Sequence, residues 1–161
     1  MYRILIADPL EKSGVDILRS AGAEVTIVES ADRPRLKELV ANVDALVVRS
    51  ATKVTRELLA AAPKPKVVGR AGLGVDNVDV PAATELGVLV VNAPTANVMS
   101  AVEHTFALLL ALARHIPAAD ASMKRGEWDR KTFKGVELQG KTLGLVGFGK
   151  IGQRVGTRAR A

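Results

Sequence analysis

The stretch RILIADPLEKSGVDILRSAGAEVTIV, residues 3–28, contains one full turn of the pattern that decides the fold. Arg3-Ile4-Leu5-Ile6-Ala7 is a short apolar run ending at Asp8-Pro9 and reads as a buried strand. Val15, Ile17 and Leu18 follow at near-helical spacing, and Gly22 stops that helix. Glu24 to Val28 is a second strand of the same kind.

Outward from there the pattern recurs. Pro34 suits a first helical turn, and Leu36, Leu39 and Val40 form a helical stripe. Ala45–Val48 is a third strand, and Thr55–Ala62 a helix with Leu58 and Leu59 inward, closed by Pro63. Lys66–Gly69 is a fourth strand, Val80–Glu85 a short helix ended by Gly87, and Val88–Asn92 a fifth strand. Apolar strands alternating with helices predict a parallel, doubly wound α/β sheet with right-handed crossovers. Residues 1–97 therefore read as a flavodoxin-like unit with strand order 2-1-3-4-5.

The texture changes after residue 97. Ser100 and Glu103 have capping-box spacing, and the following HTFALLLALARHI is apolar nearly all round. A helix from Ser100 to Arg114 is expected, ended by Pro117, with a second helix or turn over Ala118–Arg125. Thr142–Val146 reads as a strand leading into Gly147-Phe148-Gly149-Lys150-Ile151-Gly152. That glycine spacing suits a tight turn, close approach of a pyrophosphate, and close helix packing. A glycine-rich strand-to-helix turn without cofactor fits the same residues. The acidic residue expected about twenty positions further on is not among the 161 residues.

Composition narrows the classes. There is no cysteine, so disulfides and thiolate metal sites are ruled out. The formal charge is +6, and Lys124–Lys134 alone carries five basic and two acidic residues. A solvated surface and an anionic metabolite both fit this balance. Only five aromatic residues are present, scattered, so no nucleic-acid platform is expected. Trp128 reads as an anchor for the connecting segment. With no signal peptide or membrane span, the expected location is the cytoplasm.

Ligands of such sheets bind beyond the carboxyl ends of the strands. Arg49-Ser50-Ala51-Thr52, Arg70 to Asn77, and Asn92 to Thr95 all fall there. Arginine matches a carboxylate or phosphate with a two-pronged donor set. Arg49 and Arg70 read equally well as sheet-edge residues paired with Asp76 and Asp79. His104 and His115 read as packing or capping residues, and no cluster has metal-ligand spacing.

VVRSATKV, GRAGLGVDNVDVPAAT, VLVVNAPTANVMSAVEHTFALLLALAR and GKTLGLVGFGKIGQRV together resemble the D-isomer-specific 2-hydroxyacid dehydrogenases, within them the members acting on 3-phosphoglycerate. The resemblance implies oxidation of that hydroxy acid to the 2-keto acid with NAD, the first step of serine biosynthesis. It implies a substrate domain over 1–97, and crossover helices plus the first βα unit of a Rossmann NAD-binding domain over 98–161. Arg49, Ser50, Gly72, Leu73 and Gly74 match substrate positions, Leu73 also facing the cofactor. Gly147, Gly149, Lys150, Ile151 and Gly152 match the pyrophosphate loop. The family more often has arginine at the Lys150 position; lysine keeps the charge and loses the fork. The family's catalytic arginine, glutamate and histidine find no match here. The expectation is therefore a chain without turnover and with weak or no NAD binding, associating as a homodimer through 98–161. A non-catalytic, anion-binding half-enzyme is the alternative.

Overall fold

The computed structural model describes residues 1–28, 34–62 and 66–160. Pro63, expected to close the third helix, lies outside them. The chain divides into two compact units, Met1–Ala96 and Asn97–Ala161.

The first unit is built on β1 (Arg3–Ile6), β2 (Glu24–Ile27), β3 (Ala45–Val48), β4 (Val67–Arg70) and β5 (Leu89–Asn92). All pairings are parallel and the order is β2-β1-β3-β4-β5. Connecting them are α1 (Lys12–Ser20), α2 (Leu36–Val40), α3 (Arg56–Ala60) and α4 (Val80–Glu85). The three central strands carry the fully buried residues Leu5, Ile6, Leu46, Val48 and Val68. Val40, Leu58, Leu59, Ala82 and Ala83 cover them from the helices. Each fully buried aliphatic side chain contributes roughly 1.5–3 kcal/mol. The edge strands β2 and β5 are more exposed, because each has a neighbour on one side only. Of the stripe read in α1, Val15 is buried and Ile17 is exposed.

Two side chains start the short helices. Thr55 Oγ1 accepts the Leu58 N–H at 3.4 Å, and Asp79 Oδ1 accepts the Ala82 N–H at 2.9 Å. Val54 and Val78 form an isolated parallel bridge just before these caps.

The second unit contains α5 (Val98–Ala113), α6 (Ile116–Lys124) and α7 (Lys150–Ala159). Three expectations are corrected here. α5 starts at Val98 with Asn97 at its cap, so Ser100 lies inside the first turn and the capping box does not form. Pro117 does not end α5 but sits in the first turn of α6, where its fixed φ and missing N–H are tolerated. The break falls at His115, whose φ of 53° bends α6 away from α5 by 63°. The third correction is that residues 142–146 form no strand: no parallel neighbour pairs with them among the described residues, and a ladder needs one. Trp128, expected to anchor the connecting segment, is 72% exposed.

α5 and α7 pack together, with Val102 and Val155 buried and Arg158 Nη2 reaching Met99 Sδ at 3.8 Å. The connecting segment is tied to the end of α5 where the Val136 N–H meets the Ala113 carbonyl at 2.7 Å. No single helix among the described residues is long and apolar enough to cross a membrane.

Candidate functional site

At the carboxyl end of the sheet, the loops after β3 and β4 lie side by side. Their strands are in register to the last residue, Val48 opposite Arg70, and the Ala71 N–H continues the ladder to the Val48 carbonyl at 2.8 Å.

Residues Arg49–Thr52 form the first loop, and two side chains from elsewhere fix its ends. Asp8, 2% exposed at the end of β1, accepts the Arg49 N–H at 2.7 Å and the Thr52 N–H at 3.0 Å on Oδ2. Its Oδ1 accepts the Thr52 hydroxyl at 2.7 Å. From the β4 side, Asn77 Nδ2 donates to the Arg49 carbonyl at 2.7 Å and to the Thr52 carbonyl at 2.6 Å. Between these ends, Ser50 and Ala51 are exposed and make no hydrogen bond among the described residues. The exposed Arg49 guanidinium donates from Nη1 to the Pro9 carbonyl at 3.3 Å.

The second loop is Gly72-Leu73-Gly74. Asn92, at the end of β5, donates from Nδ2 to the Leu73 carbonyl at 2.6 Å, and the Ala93 N–H reaches the Gly72 carbonyl at 3.0 Å. The carbonyls are thus used, while the N–H groups of Leu73 and Gly74 donate to nothing among the described residues. Arg70 lies folded against Gly72: a Cβ there would come 2.7 Å from its Cζ. Only Gly72 leaves room for this, and the Arg70 side chain is 13% exposed, with Nη2 4.0 Å from Asp76 Oδ1. Of the two rim arginines, Arg49 therefore reaches solvent beside the loop and Arg70 supports the loop from behind. Asp79 serves as the cap of α4.

The glycine loop of the second unit lies between residues 142–146, which form no strand, and α7. Gly147 has φ of +94°, a turn that a side chain would strain. Gly152, in the first turn of α7, packs on the Gly147 carbonyl, where a Cβ would come 3.2 Å from the carbonyl carbon. Gly149 caps the helix in extended conformation with open space around its α-carbon. Lys150 and Ile151 occupy the first two helical positions. Glycine turn, open approach and helix N-terminus fit a pyrophosphate, which the first-turn N–H groups and the helix dipole would hold.

Neither histidine joins a reactive cluster. His104 lies exposed in the second turn of α5 and His115 in the bend after it. Among the described residues no group of three or more His, Asp or Glu side chains could hold a metal ion.

The first unit thus presents loop donors at the carboxyl end of a five-stranded parallel sheet, and the second a glycine turn leading into a helix. The model of the D-isomer specific 2-hydroxyacid dehydrogenase catalytic domain matches residues 4–153, and the chain belongs to this family.

Curated relatives narrow the likeness. The chain is 55% identical over all 161 residues to the D-3-phosphoglycerate dehydrogenase of Methanocaldococcus jannaschii. It is 57% identical over 158 residues, 98% of the chain, to that of Mycobacterium tuberculosis. It spans about 30% of the length of each. Among solved structures, a Thermus thermophilus protein matches with TM-score 0.89 at 34% identity, over 98% of this chain and 52% of that one. The NAD-dependent formate dehydrogenase of Staphylococcus aureus, solved with NAD, matches with TM-score 0.83 at 28% identity, over 98% and 53%.

Asp8 is the residue that sequence reasoning passed over. It was read as a strand terminator with Pro9. Its place directly after an apolar strand, at the same strand-end level as Arg49, is the available signal.

Proposed function

We propose that this chain supplies the substrate-binding part of a D-3-phosphoglycerate dehydrogenase, which oxidises 3-phosphoglycerate to the 2-keto acid. The observation that carries the reading is the set of unspent donors on two adjacent loops. Arg49 and Ser50 on one, and the Leu73 and Gly74 N–H groups on the other, offer charge and directed hydrogen bonds to a small acid. The identity to D-3-phosphoglycerate dehydrogenases along the whole chain supports the choice of substrate.

NAD, when bound, would take the hydride from the hydroxy carbon. The chain's own residues have narrower tasks. Leu73 and Gly74 would orient the substrate carboxylate, and Arg49 with Ser50 would hold its anionic end. Gly147, Gly149 and Gly152 would admit the cofactor pyrophosphate to the N–H groups of Lys150 and Ile151. Neither histidine lies on these loops to move the hydroxyl proton, a role worth typically about 10²–10⁴ in rate. We therefore expect anion binding but no NADH formation from the 161 residues alone, and NAD binding weaker than about 10 μM.

Titrating the labelled chain with 3-phosphoglycerate tests this. The Ser50, Leu73 and Gly74 amide signals should move, and Arg49→Ala should suppress the shifts. Unmoved signals, or equal shifts in Arg49→Ala, would refute the site. NADH appearing with the purified chain would refute the division of labour.

A separate observation favours self-association of the second unit. Leu108, Leu110, Leu112, Ile116 and Met123 on α5 and α6 are exposed large apolar side chains. Apolar exposure of this extent is unusual on a monomer. We propose a homodimer formed through this unit. Light scattering should give about twice the 17.0 kDa chain mass, and a species at the single mass would overturn it.

A further inference from the structure

We infer that Asp8 is a positioning residue for anion capture: its carboxylate holds the Arg49–Thr52 loop in the shape with which Arg49 and Ser50 grip an acidic substrate. This rests on the reading of that loop given above.

A carboxylate close to an anion site is ordinarily unfavourable, because like charges repel. Asp8 nevertheless stands behind the loop, buried, with its two oxygens turned to three donors of Arg49 and Thr52. The same two residues have their carbonyls held by one amide group, that of Asn77. The first and last residues of a four-residue loop are thus fixed through both N–H and C=O, from the segments that follow β1 and β4. The middle, Ser50 and Ala51, is left unbonded among the described residues. A loop clamped at its ends and open at its centre has lost its conformational freedom before a ligand arrives, which raises affinity without adding a contact.

The sign of one substitution separates this from bulk electrostatics. Asp8→Asn removes a negative charge near the site, so charge alone would make anions bind more tightly. It also replaces the carboxylate by an amide, which can meet the Arg49 and Thr52 N–H groups with its oxygen and the Thr52 hydroxyl with its NH₂ but without charge assistance, so a positioning role predicts weaker binding. Losing the charge assistance of these buried bonds loosens the loop enough to expect about a tenfold loss of affinity. Thr52→Val removes only the hydroxyl contact and should weaken binding about threefold.

The experiment is an NMR titration of the full chain, with 3-phosphoglycerate and separately with sulfate. Wild type, Asp8→Asn and Thr52→Val are compared, with amide hydrogen exchange recorded on each. Expected are weaker binding in the order given, unchanged core signals at Leu46 and Val68, and faster exchange of the Arg49 and Thr52 amides. A folded Asp8→Asn that binds either anion as tightly as wild type, or tighter, overturns the inference. If wild type shows no shift at Ser50 with either anion, the binding reading of the loop has failed. The clamp is then judged by exchange alone, and unchanged Arg49 and Thr52 protection in Asp8→Asn overturns it. Should Asp8→Asn not fold, Thr52→Val decides: wild-type affinity there sinks the proposal.

Discussion

In the Met1–Ala96 unit, the apolar run Ala45–Val48 ends with Leu46 and Val48 at 1% and 0% exposure. In the Asn97–Ala161 unit, the apolar run 142–146 leaves Leu143 42% exposed and Val146 fully exposed. Both runs precede a loop and then a helix. The first has β1 and β4 on its two sides, and the second pairs with nothing among the described residues. Apolar, β-branched character makes a segment competent to be a strand, while the neighbouring strands make it one. The helices show the same divide. α3 and α4 bury their apolar faces on the sheet, whereas α5, apolar all round, keeps several leucines in solvent.

That contrast can be broken most forcefully in the sheet. Leu46→Ala should destabilise by about 2–5 kcal/mol, whereas Leu112→Ala, at a site 76% exposed in the single chain, should stay within about 0.5 kcal/mol where the chain is dilute enough to be monomeric. Urea unfolding followed by circular dichroism measures both. Equal losses would dissolve the distinction. A Leu112→Ala loss that grows with protein concentration would instead locate the cover of α5 in a second copy.

Glycines sharpen the comparison at intermediate size. Gly152→Ala presses a methyl group onto the Gly147 carbonyl and should destabilise the second unit by roughly 1–3 kcal/mol. Gly14→Ala, in α1 with nothing within 4 Å, should stabilise the first by roughly 0.5–1 kcal/mol. The same unfolding curves check both signs. Asp79→Ala, which frees the Ala82 N–H at the start of α4, should lower stability by about 1 kcal/mol.

The smallest effect is local. Hydrogen bonds from Arg125 and from the Ser122 hydroxyl hold the Glu127 carboxyl at about 2, below its ordinary 4.5. A lowered carboxyl favours the folded arrangement above the ordinary value, and that support is lost as pH falls from about 4.5 through about 2. Carbon-detected NMR should place the Glu127 midpoint near 2, with the Ser122 signals moving alongside. A midpoint near 4.5 would mean that the contact does not hold in solution.

Most of the first unit was legible in the sequence because each strand is an unbroken apolar run and each helix is punctuated by glycine or proline. Ends slipped where two signals competed. The Ser100/Glu103 spacing drew the start of α5 past Asn97, and Pro117 read as a stop is a start. The rim residues Arg49, Ser50 and Gly72–Gly74 could be placed because their position follows directly from strand ends. The clamp could not, since Asp8 meets Arg49 and Thr52 across 41 and 44 residues. Nothing local tells a terminating aspartate from one that organises a loop. The unpaired 142–146 run was misread for the related reason that periodicity carries no information about partners.

The strand order has a consequence in time. β1 is made first, yet its second neighbour is β3, with Ile4 facing Ala45, 41 residues further along. Synthesis at about 5–20 residues per second separates the two by roughly 2–8 s. Through that interval Leu5 and Ile6, at 1% and 0% exposure in the finished sheet, have one edge and one ladder unfilled. Within this sheet, β1 therefore waits longer for its last neighbour than β3 or β4 does.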